Sequence, residues 1–304
     1  MNKKSKQILA RLGGLILVAA LALFINCNNT QPDSETTTNT HPVDVVEVHF
    51  IDVGQGDSIL IEAGENSMLI DAGENNKGSV VVDYLKQSNI QKLDYVIGTH
   101  PHSDHIGGLD NVLNEFPVQT VIMPSVANTT KTFEDVLDVL KKKNLTVTKP
   151  VVGDKYTLGP ASFTVIAPNS STYEEMNDYS VGIKLTYKST SFLLTGDASS
   201  LSEEEMLKNG IDLSADVLKL AHHGSSYSSS ESFLDAVKPT FAVVSVGADN
   251  EYGHPHSKTL LAIKDRGIKL YRTDKQGTVV FTSDGKTISV NTDNYEITDN
   301  ELNN

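Results

Sequence analysis

Metal chemistry is what the residue types of this chain suggest first. Between Thr99 and Gly108 stand four side chains of metal-ligand type, namely His100, His102, Asp104 and His105. Imidazole and carboxylate together suit zinc, manganese or iron rather than calcium. Side chains alternate along an extended segment, so the first two histidines should point one way, and a turn at Ser103 should swing Asp104 and His105 to another side. This spacing predicts two adjacent half-sites, and hence two divalent ions, rather than a loop that is rich in histidine by chance.

Further residues of the same types stand far along the chain. Asp197 follows Gly196 and a predicted strand at residues 192–195. His222 and His223 end a predicted strand at residues 216–221. Adjacent residues at a strand end point in opposite directions, so one imidazole is expected on a metal ion and the other nearby.

Several stretches together resemble one known family. The segment from His100 to Gly108 reads HxHxDHxGG after a strand, which is the second motif of the metallo-β-lactamase superfamily. The surroundings resemble its ComEC-type branch, the hydrolase domain of bacterial DNA-uptake proteins. The matching stretches follow the family's order, at residues 49–58, 69–73, 194–197, 218–225 and 250–255. The resemblance runs from about residue 45 to about residue 290.

The resemblance implies a set of metal ligands, which is His100, His102, Asp104, His105, Asp197 and His223. In the family the aspartate at Asp197 bridges the two ions. No histidine lies between residues 105 and 197, where many members supply another ligand. The first ion would therefore have His100, His102 and Asp197 and an open position for water or substrate. The second would have Asp104, His105, Asp197 and His223. His223 is favoured over His222 because the family's ligand often precedes a glycine, and the reverse order stays open.

Three residues are expected to serve the reaction without being ligands, namely His254, His222 and Asp71. The resemblance makes Asp71 a group that orients the metal ligands. His222 is expected beside the substrate or behind the ligands, and His254 is the candidate proton donor to a leaving alkoxide. Asp57 either supports the site or caps a turn. Asn177 and Ser180 either bond to substrate or shape a loop.

The order of predicted elements favours an α/β fold. A strand meander opens the domain, α/β units follow, and the same sequence of meander and α/β units then repeats. This repeat fits two half-sandwiches with helices outside, a four-layer αββα sandwich of the metallo-β-lactamase type. Predicted strands at 268–272, 277–282 and 287–291 should close the second sheet. The acidic tail at 293–304 is expected to fray.

The N-terminal residues predict export. Lys3, Lys4, Lys6 and Arg11 precede an apolar run at residues 12–25, which is short for a membrane span and typical of a signal peptide. Cys27, the one cysteine of the chain, resembles the lipidated residue of a bacterial lipoprotein signal at 1–27. An uncleaved anchor helix and free secretion are the alternatives. Residues 28–42 are polar and predict a flexible linker before a hydrolase domain at 43–292.

The charge balance bears on the substrate. The chain has 39 acidic and 25 basic residues and a formal net charge of −14. Nucleic-acid affinity comes mainly from lysine and arginine, so this balance weakens a DNA-binding hypothesis, although metal ions would carry positive charge at the site.

The function predicted from these observations is metal-dependent hydrolysis outside the cytoplasm. The leading hypothesis is a phosphodiesterase or nuclease in which two divalent ions, zinc or manganese, activate a hydroxide. Its partners would be a phosphodiester, either DNA or an envelope polymer, and the membrane through a lipid or anchor helix, and no obligate protein partner is evident. The alternatives are an envelope phosphodiesterase or esterase on a small substrate such as phosphorylcholine, or a non-catalytic metal-binding surface lipoprotein.

Overall fold

Two mixed β-sheets form the middle of the fold, and helices cover their outer faces. The computed structural model describes residues 45–303, so the predicted signal peptide and the predicted linker at 28–42 lie outside the described residues. Among the described residues, none of the helices has both the length and the hydropathy that crossing a bilayer requires.

Within residues 45–303 the chain forms fifteen strands. They are β1 (Val46–Phe50), β2 (Ile59–Ala63), β3 (Asn66–Ile70), β4 (Leu93–Ile97), β5 (Val118–Ile122), β6 (Val147–Thr148), β7 (Lys155–Leu158), β8 (Ala161–Ala167), β9 (Gly182–Tyr187), β10 (Thr190–Leu194), β11 (Val217–Lys219), β12 (Phe241–Val244), β13 (Lys269–Arg272), β14 (Val279–Ser283) and β15 (Ile288–Val290).

The same residues form nine α-helices. They are α1 (Gly78–Gln87), α2 (Ser103–Ile106), α3 (Leu109–Glu115), α4 (Lys131–Lys143), α5 (Ser200–Lys208), α6 (Glu231–Val237), α7 (Ser257–Asp265), α8 (Thr273–Gln276) and α9 (Asp299–Leu302).

The first sheet has the strand order β15-β14-β1-β2-β3-β4-β5-β6. Its antiparallel half runs from β15 to β3, and β3 to β6 are parallel. The expectation that the last two strands close the second sheet is wrong. β14 instead pairs with β1, where Val46 lies opposite Ser283, because the C-terminal hairpin returns to the sheet in which the domain begins.

The second sheet has the order β13-β12-β11-β10-β9-β8-β7. Its antiparallel half contains β7 to β10, and β10 to β13 are parallel. In both sheets the parallel half carries the residues of interest in the loops after its strands, as expected for an open sheet with crossover connections.

Three apolar cores hold the layers together. The central core lies between the sheets and joins Phe50 and Phe281 of the first sheet to Phe163 and Phe192 of the second. A second core packs α1, α3 and α4 against the first sheet, and a third packs α5, α6 and α7 against the other. The predicted four-layer αββα sandwich is confirmed.

The C-terminal residues are ordered, and the expectation of a frayed tail is wrong for residues 295–302. Tyr295 pairs with Leu270 beside β13. Glu301, in α9, forms an ion pair with the guanidinium of Arg272 and accepts a hydrogen bond from the Tyr295 hydroxyl at 3.0 Å. Thr298 and Glu301 also form a capping box that begins α9.

Candidate metal centre

The loop that follows β4 is fixed by close packing of its glycines. A side chain at Gly107 would lie 2.3 Å from the Asn75 nitrogen, and one at Gly108 would lie 2.4 Å from the Ala72 carbonyl oxygen. Such distances exclude a Cβ atom, so both positions require glycine. The glycines therefore seat α2 against the segment that follows β3, which brings that segment and the histidine loop side by side.

Four side chains converge where the two sheets meet, and we call them the ligand cluster: Asp104, His105, Asp197 and His223. Their ligand atoms all lie within 4.8 Å of one another. The His105 Nε2 atom is 3.2 Å from the Asp197 carboxylate, and the His223 Nε2 atom is 3.2 Å from Asp104 and 3.4 Å from Asp197. Asp104 and His105 lie in α2, on the side of the first sheet. Asp197 and His223 follow β10 and β11 of the second.

The two cluster histidines are oriented from behind. The Nδ1 atom of His105 donates to Asp71 at 2.8 Å, and that of His223 donates to the Ser245 carbonyl oxygen at 2.9 Å. Each bond leaves the Nε2 atom directed at the cluster. This arrangement of an outer acceptor behind each imidazole is the usual support for a metal-binding histidine.

Asp71 is fully buried and lies behind the ligand cluster rather than in the cavity. It follows β3 and has a φ of 58°, a strained conformation for a residue other than glycine. Its carboxylate accepts hydrogen bonds from the Thr99 nitrogen at 2.8 Å and the Thr99 hydroxyl at 2.6 Å, besides that from His105. Thr99, which the sequence did not single out, thus ties Asp71 to the histidine loop.

His100 and His102 lie beside the cluster and face each other. The His100 Nε2 atom is 3.0 Å from the His102 Nδ1 atom, and the His100 and His105 rings are 4.2 Å apart. On its other side the His100 Nδ1 atom lies 3.1 Å from the Thr99 hydroxyl and 3.3 Å from that of Ser180. The structure therefore brings all six predicted ligands to one place. Ser180 also accepts from the Asp197 nitrogen at 3.1 Å, so it supports ligands and is buried away from substrate.

The two adjacent histidines after β11 diverge. Both have positive φ angles, 52° for His222 and 54° for His223, and this bend sends one side chain inward and the other into the cavity. His223 is buried in the ligand cluster, whereas the His222 Nε2 atom lies 4.0 Å from the nearest Asp197 oxygen and contacts the Asn177 amide.

A buried ion pair lies beneath the ligand cluster. The Lys219 ammonium, which is fully buried, donates to Asp57 at 2.7 Å and to the carbonyl oxygens of Leu220 and Gly196 at 3.2 and 3.4 Å. Asp57 is therefore a supporting group of the site rather than a turn cap. The sequence analysis identified Asp57 as a candidate supporting group but missed Lys219, whose signal is that it is the one charged residue in the apolar segment 217–221.

The charges of the ligand cluster favour the binding of cations. Burial opposes protonation of His105, yet the neighbouring carboxylates of Asp197, Asp104 and Asp71 outweigh it and raise the pKa of His105 well above its ordinary value. Burial likewise opposes protonation of His223, but Asp197 and Asp104 raise its pKa to about 10. Despite burial, the same histidines hold the pKa values of Asp104 and Asp197 below their ordinary range. The site therefore attracts positive charge strongly.

The donor set fits a divalent metal ion. The buried His105 Nε2 and Asp197 Oδ1 atoms have no hydrogen-bond partner among the described residues. Buried polar atoms without partners are rare, and both of these belong to residues of the ligand cluster, where a bound cation would satisfy them. Imidazole nitrogens with carboxylate oxygens suit zinc, manganese or iron.

A polar cavity of about 350 Å³ opens over the ligand cluster. Its lining includes His102, Asp104, Asp197, His222, His223 and His254, together with Gln55, Asn128, Thr130, Asn177 and Tyr252. Burial and the charges of nearby histidines lower the pKa of His254 to about 4. This shift favours the neutral imidazole, which can donate one hydrogen bond into the cavity.

The comparison with known families decides the identity of this fold. Residues 51–248 match the family model described as the metallo-beta-lactamase superfamily. The chain belongs to the metallo-β-lactamase superfamily. The ligand cluster, the orienting Asp71 and the αββα layers are thus those of a metal-dependent hydrolase of this superfamily.

Within the superfamily the chain is similar to competence proteins. It is 30% identical over 253 residues to ComE operon protein 3 of Bacillus subtilis, a match that covers 77% of this chain and 33% of that protein. It is 29% identical over 247 residues to competence protein ComA of Neisseria gonorrhoeae, covering 79% of this chain and 33% of that protein. The chain thus spans about one third of the length of these relatives.

A solved structure shows the same fold. The metallo-beta-lactamase fold protein YhfI from Bacillus subtilis superposes with a TM-score of 0.50 and 16% sequence identity. The superposition covers 75% of this chain and 96% of that one. At this identity the likeness concerns the fold alone.

Proposed function

We propose that this chain is an extracytoplasmic phosphodiesterase that works with two divalent ions, zinc or manganese. The single observation that carries the proposal is the ligand cluster at the floor of an open polar cavity, with His100 and His102 paired beside it. Two adjacent ions supply an acidified water and a counter-charge for phosphoryl oxygens. The name of one relative, competence protein ComA, refers to competence, which favours a phosphodiester over a β-lactam.

The chain's own side chains would bind and orient the substrate. Asn177 and His222 stand together at the cavity wall, where the amide contacts the imidazole at 3.3 Å and both can reach a substrate oxygen. His254, as a neutral imidazole, would donate a hydrogen bond to the leaving oxygen, and the proton of the departing alkoxide would come from solvent. Asp71 and Thr99 would keep the His105 ring in place through the reaction.

The location outside the cytoplasm rests on the sequence of residues 1–42 alone. The basic segment, the apolar run and Cys27 support an exported, membrane-attached lipoprotein, with an anchor helix or free secretion as the other outcomes. Metabolic labelling with palmitate, compared between the wild type and Cys27→Ala, distinguishes lipidation from these alternatives.

The decisive test uses the full chain, stripped of metal and reloaded with zinc or manganese. We expect metal-dependent hydrolysis of bis-p-nitrophenyl phosphate, lost in His102→Ala and in Asp197→Asn. Since even groups behind metal ligands affect activity about 10- to 100-fold, loss of Asp197 should lower kcat/KM by at least about 100-fold. Asp138→Asn, which removes the same charge from the exposed face of α4, is the matched control and should keep its activity.

The outcome on larger substrates separates the alternatives. Cleavage of both the small diester and single- or double-stranded DNA would support a nuclease. Cleavage of the small diester alone would favour an envelope phosphodiester such as phosphorylcholine on teichoic acid. No turnover with either metal, despite tight binding of two ions, would refute the phosphodiesterase and leave an esterase or a binding protein.

A further inference from the structure

An exposed aromatic side chain stands at the mouth of the cavity. Tyr252 is 64% exposed, and its ring stacks on that of His254 with centroids 5.6 Å apart and planes 25° apart. His254 in turn lies 5.5 Å from the ring of His222 and 6.3 Å from that of His223. A row of rings thus leads from the ligand cluster to solvent. We call its outer part, Tyr252 and His254, the stacking shelf.

The stacking shelf is held in place by hydrogen bonds. Asn250 donates from its amide to the carbonyl oxygens of Gly247 and His254 at 2.9 and 2.7 Å, and it accepts from the His254 nitrogen at 2.9 Å. The His256 Nε2 atom lies 3.2 Å from the Tyr252 carbonyl oxygen and its Nδ1 atom accepts from the Ser226 nitrogen. An exposed tyrosine on so constrained a loop is already ordered for binding, which lowers the entropic cost of a contact with its ring.

The rest of the cavity wall is polar but uncharged. Among residues 45–303, those that line the cavity outside the ligand cluster include neither lysine nor arginine. The wall offers the amides of Gln55, Asn128 and Asn177 and the hydroxyl of Thr130. Proteins that bind a chain of phosphates usually do so along a positively charged groove. Uncharged amides beside an aromatic ring instead suit a neutral planar group that carries donors and acceptors on its edge.

We propose that the stacking shelf selects phosphodiesters in which a nucleobase is attached next to the scissile phosphate, so that the substrate is a nucleotide ester or the end of a short oligonucleotide. This inference rests on the proposed phosphodiesterase activity and narrows it. Tyr252 stacks on the base, and the amides of the wall bond to its edge. The one phosphate that reacts would lie at the ligand cluster, and the cavity wall, as far as residues 45–303 form it, presents no lysine or arginine for further phosphates.

A quaternary ammonium group such as choline fits the shelf less well. Cages for such cations surround the ligand with several aromatic rings. In the described part of the chain the cavity lining contains one tyrosine and no phenylalanine. A single exposed face suffices for a flat ring, because stacking needs one surface.

The test compares two esters with the same leaving group on the metal-loaded full chain. One is the p-nitrophenyl ester of thymidine 5′-monophosphate and the other is methyl p-nitrophenyl phosphate, which lacks the nucleoside. Because stacking on an aromatic side chain typically changes affinity by about tenfold or more, we expect KM to be about tenfold lower for the thymidine ester. Tyr252→Ala should abolish this difference and Tyr252→Phe should keep it. Tyr227→Ala removes another exposed tyrosine, 73% exposed, that lies outside the cavity, and this variant should match the wild type.

Other outcomes overturn the proposal. Equal KM values in the wild type, an unchanged difference in Tyr252→Ala, or a stronger preference for p-nitrophenylphosphorylcholine would each do so. If no ester is hydrolysed, the phosphodiesterase proposal fails. Binding measured by isothermal titration calorimetry then tests the stacking shelf independently. Binding of thymidine 5′-monophosphate about tenfold tighter than deoxyribose 5-phosphate, lost in Tyr252→Ala, supports base stacking, and equal binding refutes it.

Discussion

The charge of single residues sets the character of the centre. Asp57, Asp71 and Asp197 are all buried beside it, and Lys219 is the one fully buried lysine that the described residues place there. Its three donors meet three acceptors, from the turn after β1, the turn before Asp197 and the strand end before His222. Lys219 therefore binds together the backbone segments that carry the ligands.

Replacing Lys219 by methionine tests this role. The change leaves the Asp57 carboxylate buried without its partner, which typically costs about 3–5 kcal/mol. Urea unfolding of the full chain should show a midpoint lowered accordingly. Lys141→Met, on the exposed end of α4, should change the unfolding free energy by less than about 0.5 kcal/mol. A Lys219→Met protein as stable as this control would show that the ion pair does not stabilise the fold.

At the scale of elements, the site lies at the ends of parallel strands. Side-chain hydrogen bonds between neighbouring strands help to stabilise their pairing. Asp94 in β4 accepts from the Ser67 nitrogen of β3 at 3.0 Å and from the Lys92 ammonium at 2.8 Å. Burial alone would raise the pKa of Asp94, but these two hydrogen bonds outweigh burial and lower it below its ordinary value of 3.8. The ionised carboxylate therefore stabilises the pair of strands that ends at Asp71 and the histidine loop.

This pairing predicts a pH dependence. A folded pKa below the unfolded value gives stability that is fully present above about pH 4 and is lost as the pH falls through the folded pKa. Asp94→Asn should therefore be less stable than the wild type by about 0.5–1 kcal/mol at pH 7, a small value because Lys92 is exposed to solvent. The difference should shrink below pH 4 in chemical unfolding. If the wild type and Asp94→Asn differed in unfolding free energy by the same amount at pH 3 and at pH 7, this prediction would be contradicted.

The elements also show what local sequence can predict. Apolar periodicity in the sequence predicts helices at residues 77–87, 109–116, 133–143 and 257–266, and α1, α3, α4 and α7 match these ranges to within a few residues. Helix α6 and strand β12 went unpredicted, because short segments leave little periodicity to detect. The partner of β14 was wrong because an alternating strand fits either sheet equally well, and pairing depends on distant residues.

The site residues also divide into those that local sequence can predict and those that it cannot. The six ligand-type residues were found because their chemistry is concentrated in short motifs. Thr99 and Lys219 were not, because each acts through a partner far away in sequence. The lowered pKa of His254 could not be predicted either, since it depends on burial and on His223 and His222, which only the fold brings near.

At the scale of the whole molecule, the ligand cluster joins the two halves of the sandwich. Asp104 and His105 belong to the side of the first sheet, and Asp197 and His223 to that of the second. An ion bound by both pairs links the sheets at the edge where the cavity opens. Metal binding is therefore expected to stabilise the entire domain rather than one loop.

Chelation tests this link. An ion present at 100 times its dissociation constant adds about 2.7 kcal/mol of stability, which corresponds to roughly 5 °C or more in Tm for a domain of this size. Calorimetry with and without EDTA should show such a drop in the wild type and little change in Asp197→Asn. An unchanged Tm in the wild type would mean that the ions do not bridge the halves.

The pairing of β1 with β14 has a consequence for biosynthesis. The opening strand emerges from the ribosome long before its neighbour exists, because Val46 must await Ser283. Until then one edge of β1 presents unsatisfied backbone groups, and the central core lacks Phe281. Closure of the domain therefore requires translation through β14, and a chain truncated before β14 would be prone to aggregate.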